Sequence, residues 1–159
     1  MLRTLTLVAL LLIVALPVTA GFKEGKAAYD RGDYKNALRE LKPLAEKGHA
    51  RAQYWTGYMY SEGHGVTKYY FEAVRWFRKS AVQGFADSQF SIGFMYETGR
   101  GVPRNYVLAY MWYNLAAVSE HDSAGEFRDA LERKMTPAQI AQAQKMAAKW
   151  RPNKAGPTK

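Results

Sequence analysis

Laying Gly48–Gln83 over Gly84–Ser119 gives identity at fourteen of thirty-six positions without a gap, against roughly two or three expected from average composition. Glycines (Gly48/Gly84, Gly57/Gly93, Gly63/Gly99, Gly65/Gly101) and aromatics (Tyr60/Tyr96, Tyr70/Tyr106, Trp76/Trp112) dominate the matches. A period in the thirties is the mark of a solenoid, in which each unit buries its apolar face only by stacking on its neighbours. Such a chain presents an extended surface and not a single deep pocket. A weaker echo pairs Tyr34 with Tyr70, Ala37 with Ala73, Leu41 with Phe77 and Ala45 with Ala81. Residues 22–47 therefore form a first unit, shortened at Gly32-Asp33 where the later units, 48–83 and 84–119, carry a longer loop.

Within each full unit the apolar spacing is helical. Ala50, Tyr54, Gly57 and Tyr60 fall at i, i+4, i+7 and i+10, as do Ala86, Phe90, Gly93 and Tyr96, which places each set on one helix face. Glycine inside a helix costs about 1 kcal/mol against alanine. Its return at the same phase predicts that the partner helix approaches the backbone closely. Second helices are expected over Tyr70–Gln83 and Tyr106–Ser119, with Trp76 and Trp112 in the core. Gly63-His64-Gly65-Val66 and Gly99-Arg100-Gly101-Val102 connect the two, one glycine ending the first helix in the left-handed conformation. These glycines lack the strand, lysine and hydroxyl of a phosphate-binding loop. Asp33 and Asn105 stand at the N-caps of second helices, whereas the middle unit has Tyr69, which cannot cap.

Two further helices are expected after the last unit, spanning 123–150. Ser123 and Glu126 suggest a capping box, and Thr136-Pro137-Ala138-Gln139 suggests another with proline at the first helical position. Ile140, Ala143, Ala147 and Trp150 then form an apolar stripe suited to covering the last repeat. Terminal caps of this kind favour a monomer. The remainder, 151–159, reads as a flexible basic tail.

Residues 1–20 read as an address. Arg3, the apolar run Leu5–Leu16 and Val18-Thr19-Ala20 form a signal-peptide pattern with a cut after Ala20. The alternative, an uncleaved anchor, requires more than this run offers, since a bilayer takes roughly twenty apolar residues. The expectation is a periplasmic or secreted protein without a stable membrane anchor. The chain has no cysteine, so neither a disulfide nor a lipidated cysteine is available. Without Arg3 there are 22 Lys plus Arg against 14 Asp plus Glu, a net charge of +8. Export argues against nucleic acid as the matching anion. An acidic protein face, anionic lipid headgroups or envelope glycan remain, beside simple solvation of a basic exterior.

The run Ala-x-x-Gln-Tyr/Phe-x-x-Gly-x-Met-Tyr-x-x-Gly-x-Gly-Val, followed by Tyr-x-x-Ala-x-x-Trp-Phe/Tyr, resembles the Sel-1-like repeat family, a relative of the tetratricopeptide repeats. The likeness is strong over 48–119, and 22–47 is a tetratricopeptide-like half match. The ending Met135–Trp150 also resembles the terminal helix of bacterial members. The resemblance implies an all-α fold, an α-solenoid of antiparallel helix pairs in a right-handed superhelix with about eight helices. It also implies a protein-binding scaffold of the kind used in envelope assembly, signalling or host contact. Cysteine-rich members are associated with β-lactam or peptidoglycan binding, but their cysteines are missing here.

No H-E-x-x-H, G-x-S-x-G or S-x-x-K sequence is present, so zinc-protease, serine-hydrolase and β-lactamase chemistry lack their signatures. His49, His64 and His121 are too dispersed to suggest a metal site and suit cap or surface roles; no cofactor is implied. In stacked helix pairs the first helices line the concave side. Positions outside the shared pattern trace a stripe there: Arg51, Trp55, Tyr58 and Glu62 in the middle unit, Asp87, Ser91, Phe94 and Thr98 in the next. Trp55 stands where the next unit has Ser91, and exposed aromatics and arginine are the usual interface hot spots. The competing reading packs Trp55 against the adjoining first helix. Tyr69 and Phe71 are a second candidate, as an exposed apolar patch. The expected partner is a peptide or protein, acidic if the net charge selects it, with envelope glycan as the alternative.

Overall fold

A computed structural model describes residues 18–153 and, among these, eight helices and no strand. Residues 1–17 of the expected signal peptide and residues 154–159 lie outside them, while residues 18–20, just before the expected cut, fall in the first helix. The helices are α1 (Val18–Asp30), α2 (Tyr34–Glu46), α3 (Ala50–Glu62), α4 (Tyr70–Ala81), α5 (Ala86–Thr98), α6 (Tyr106–Val118), α7 (Ala124–Glu132) and α8 (Pro137–Lys149). They pair as α1/α2, α3/α4 and α5/α6, each pair stacking on the next, and α7 and α8 both close over α6. The chain is thus an all-α solenoid. No described helix is long and apolar enough to cross a membrane.

The repeated glycines explain how close each pair packs. A Cβ at Gly57 would lie 2.9 Å from the Phe77 ring and 3.2 Å from the Ala73 carbonyl oxygen; at Gly93 it would lie 2.8 Å from the Tyr113 ring and 3.3 Å from the Ala109 oxygen. Glycine is the residue that admits an aromatic side chain against a neighbouring helix backbone at this distance. The apolar interior forms two clusters that meet at α4. Trp76 packs into the first with Leu41, Leu44 and Met59, while Phe77 packs into the second with Ile92, Met95 and Tyr113. Leu131, Ala143 and Ala147 complete the second cluster, so the last two helices supply the covering face that a terminal repeat lacks.

A repeated polar contact joins consecutive pairs. Gln53 Nε2 donates to the Ala45 carbonyl and Gln89 Nε2 to the Ala81 carbonyl, each reaching eight residues back across a turn. Gln53 Oε1 in turn accepts from Gln83 Nε2 at 2.7 Å. Ser119 stands one repeat beyond Gln83 and is too short to do the same, which leaves the buried Gln89 Oε1 without a partner.

The capping expectations divide. Asp33 and Asn105 accept from the backbone N–H of Asn36 and Leu108, Tyr69 makes no side-chain cap, and Thr136 and Gln139 form the full box beside Pro137. Ser123 does not cap α7. Its backbone is already helical at φ −98°, ψ −8°, where Asn105 and Thr136 are extended, and its own N–H is held by His121 Nδ1. The second helices end at Ala81 and Val118, one or two residues before the periodicity runs out. The start of the expected loose tail is tied down: Asn153 N–H donates to the Val82 carbonyl at 2.7 Å.

Candidate functional site

The first helices α1, α3 and α5 present one continuous face, and its middle is aromatic. Trp55 and Tyr58 rise from α3 beside Tyr29 of α1, with ring centroids 4.8 Å and 6.2 Å from Tyr29. Tyr34, from the start of α2, stacks on His64 of the α3–α4 loop at 4.2 Å and an interplanar angle of 5°. The Tyr29 hydroxyl sits 2.9 Å from His64 Nδ1. Five rings from three helices and a loop are therefore locked together, each half-buried with an edge toward solvent. Burial, reinforced by Tyr58 and Tyr34, pushes the Tyr29 hydroxyl pKa well above the usual tyrosine range. Tyr29 therefore stays a neutral hydrogen-bonding group at physiological pH.

Trp55 does contact the adjoining first helix, through Tyr29, and the Lys26 ammonium covers its ring at 4.7 Å from the centroid. One side of Trp55 thus packs on α1, as the competing reading has it, and the rest remains accessible. Arg51 is exposed and lies over Phe22 of α1 at 5.8 Å. Glu62 is exposed at the far end of α3.

The α5 half of the stripe is different in kind. Ser91 Oγ donates to the Asp87 carbonyl and Thr98 Oγ1 to the Phe94 carbonyl, both at 2.7 Å. These hydroxyl protons are committed to the helix itself. Phe94 packs on the second core cluster, beneath the Arg100 guanidinium at 5.4 Å. The Asp87 carboxylate is half exposed and lies 3.9 Å from His121 Nε2. Tyr54 bridges the two halves by packing on Phe85. Its pKa is pushed up to about 12, by burial first and then by Asp87.

Tyr69 and Phe71 are not on this face. They stand at the start of α4, each 53% exposed, with ring centroids 6.0 Å apart. The structure separates the ten expected residues into a first-helix face and a patch on the second-helix side.

The sequence stripe omitted Lys26, Tyr29, Tyr34 and His64. It also missed a second series: Phe22 on His49, Tyr54 on Phe85 and Phe90 on His121, each pair at the junction between units. His49, Phe85 and His121 are spaced by thirty-six. His49 Nδ1 caps α3 by accepting from the Ala52 N–H. Burial lowers the His49 pKa, which keeps the acceptor unprotonated.

Charge divides between the two sides. α1, α3 and α5 carry three cations against five carboxylates, while α2, α4 and α6 carry six against three. The basic excess of the chain therefore does not belong to the first-helix face.

The Sel1 repeat family model matches residues 50–85 and 86–117 in immediate succession. The chain carries two consecutive Sel1 repeats. Solved structures agree: c5321, a protective antigen of uropathogenic Escherichia coli displaying an SLR fold, superposes with a TM-score of 0.81 at 30% identity, covering 84% of this chain and 30% of that one. A Sel1 repeat protein from Oxalobacter formigenes gives a TM-score of 0.68 at 31% identity, covering 84% of this chain and 55% of that one. The chain thus spans only part of the length of either. No curated protein matches it. Sel1 repeat proteins are in general scaffolds for protein–protein interaction and typically not enzymes.

Proposed function

We propose that this Sel1 repeat protein is an exported adaptor that binds a peptide or protein segment along its first-helix face. The observation that carries the reading is the aromatic cluster of Tyr29, Trp55 and Tyr58, held rigid by His64 and Tyr34 and flanked by Lys26 and Arg51. A preformed aromatic surface loses little side-chain entropy on binding, and central aromatics dominate interface energetics. The carboxylates Glu62 and Asp87 on the same face favour a partner with mixed or basic charge over a purely acidic one. Export rests on the sequence of residues 1–20 alone. The Lys26 ammonium over the Trp55 ring occupies a face that a sugar would need for stacking, which favours polypeptide over envelope glycan.

Replacing Arg51 and Trp55 together by alanine is expected to abolish recovery of the partner from crosslinked envelopes, with helicity by circular dichroism unchanged. Equal recovery from the variant would remove the site from this face. Retention on purified sacculi with no protein partner would favour the glycan.

A further inference from the structure

The outer side of the second helices carries a recess that the first-helix face does not explain. It lies along α4, with a volume of about 440 Å³, between Phe71, Val74, Arg75, Arg78, Lys79 and Val82 and the loop residues Gly101 and Val102. The loop is pressed onto α4. A Cβ at Gly101 would fall 2.5 Å from the Tyr70 carbonyl oxygen, and the residue has φ +71°. Both conditions select glycine, so the wall is fixed.

The same recess exists one unit earlier, smaller at about 360 Å³, and the lining matches in register. Leu38 and Val74 form equivalent floors, while Arg39 with Lys42 and Arg75 with Arg78 form equivalent cationic rims. The middle unit differs at the two ends, where Lys35 and Glu46 give way to Phe71 and Val82, and at Pro43, which gives way to Lys79. These changes turn a charged notch into an apolar trough with positive walls.

We infer that the α4 recess is a second binding site, for an acidic peptide that inserts one apolar side chain between flanking carboxylates. The ordering of groups by depth identifies the occupant. Val74 is buried at the bottom, while Arg75, Arg78 and Lys79 are exposed at the rim. Among the apolar side chains of the lining Phe71 alone is exposed, whereas a bilayer requires several reaching beyond the cations into the acyl region. The cations are also held in place. Arg78 Nη2 donates to the Tyr96 hydroxyl at 2.8 Å, and the Lys79 ammonium lies 4.4 Å from the Trp76 ring centroid. Neither has a carboxylate partner among the described residues, whereas Arg75 pairs with Glu72. Charges fixed by neutral neighbours keep their full attraction for an incoming anion. Phe71, with Tyr69 beside it, supplies an exposed aromatic wall for the inserted side chain.

The probe is a fluorescein-labelled peptide, Gly-Asp-Glu-Leu-Glu-Asp-Gly, titrated by anisotropy with the protein in low and moderate salt. Saturable binding is expected, weakened at least tenfold by alanine in place of the central leucine. Phe71→Ala and the pair Arg75→Gln with Lys79→Glu should each weaken it tenfold or more, with the helical circular dichroism signal retained. Arg51→Ala with Trp55→Ala, on the other face, should leave it unchanged, which separates this site from the adaptor site. Absent binding, or binding indifferent to the leucine, overturns the inference. So does Phe71-dependent binding to vesicles containing one-third phosphatidylglycerol without peptide binding. A dimer in sedimentation velocity that Phe71→Ala dissociates would assign the recess to a second copy of the chain instead.

Discussion

The middle and third units share one scaffold and expose different chemistry on it. Gly57 against Phe77 and Gly93 against Tyr113 are the same contact thirty-six residues apart, and Gln53 and Gln89 reach back to the same kind of carbonyl. Yet the middle unit puts Trp55 and Tyr58 into an aromatic cluster, where the third has Ser91 bonded to its own helix and Phe94 beneath the Arg100 guanidinium. On the other side the middle unit leaves Tyr69 and Phe71 exposed, whereas the third has capping Asn105 and half-buried Val107. Packing against both neighbours fixes the shared positions in a solenoid. The positions that face solvent are free to differ.

The sharpest way to break the equivalence is at the loop. Gly101→Ala introduces a Cβ 2.5 Å from a backbone oxygen at a left-handed φ, and we expect a loss of about 3 kcal/mol in urea unfolding. A cost below 1 kcal/mol would mean that the loop yields and the α4 recess is soft.

A smaller change sharpens the comparison at the cap. Tyr69 has φ −150°, ψ 95° and Asn105 has φ −150°, ψ 102°, so the middle unit already holds a capping backbone with the wrong side chain. Tyr69→Asn should stabilise by about 1 kcal/mol. No gain in thermal midpoint would show that the Tyr69 ring contributes as much to stability as a cap would. The smallest effect is expected from Ser119→Gln, which offers Gln89 Oε1 the donor that Gln83 gives Gln53. A gain of about 0.5–1 kcal/mol is expected, and a loss would show that the two junctions differ in more than this side chain.

Much of the fold could be read from the period itself, because the residues that repeat are the ones that touch neighbouring helices. The helix pairs, the close approach at Gly57 and Gly93, and the boxed start of α8 all follow from local pattern. The aromatic cluster was less visible. Tyr29 comes from a unit four residues shorter in its loop, so Gly25 precedes Gly57 by thirty-two residues while Gly93 follows it by thirty-six. That offset hides which α1 residues stand beside Trp55. His64 lies in a loop, where no periodicity shows that its ring folds back onto Tyr34. The junction series escaped notice because histidine and phenylalanine alternate in it, so the shared shape carries no shared letter. At Ser123 the capping pattern failed because the backbone there is already helical and His121 Nδ1 accepts the N–H that Glu126 would hold in a capping box. The distribution of charge needed the fold as well: composition gives the total, and only the helix pairing assigns it to a side.

Site-specific photocrosslinking in the native envelope tests the central claim most directly. A photoreactive phenylalanine analogue would replace Trp55, Ser91 or, as a control on α8, the exposed Gln144. The account predicts one polypeptide partner captured most strongly from position 55, detectably from 91 and not from 144. Capture of that partner from 144 but not from 55 would contradict it.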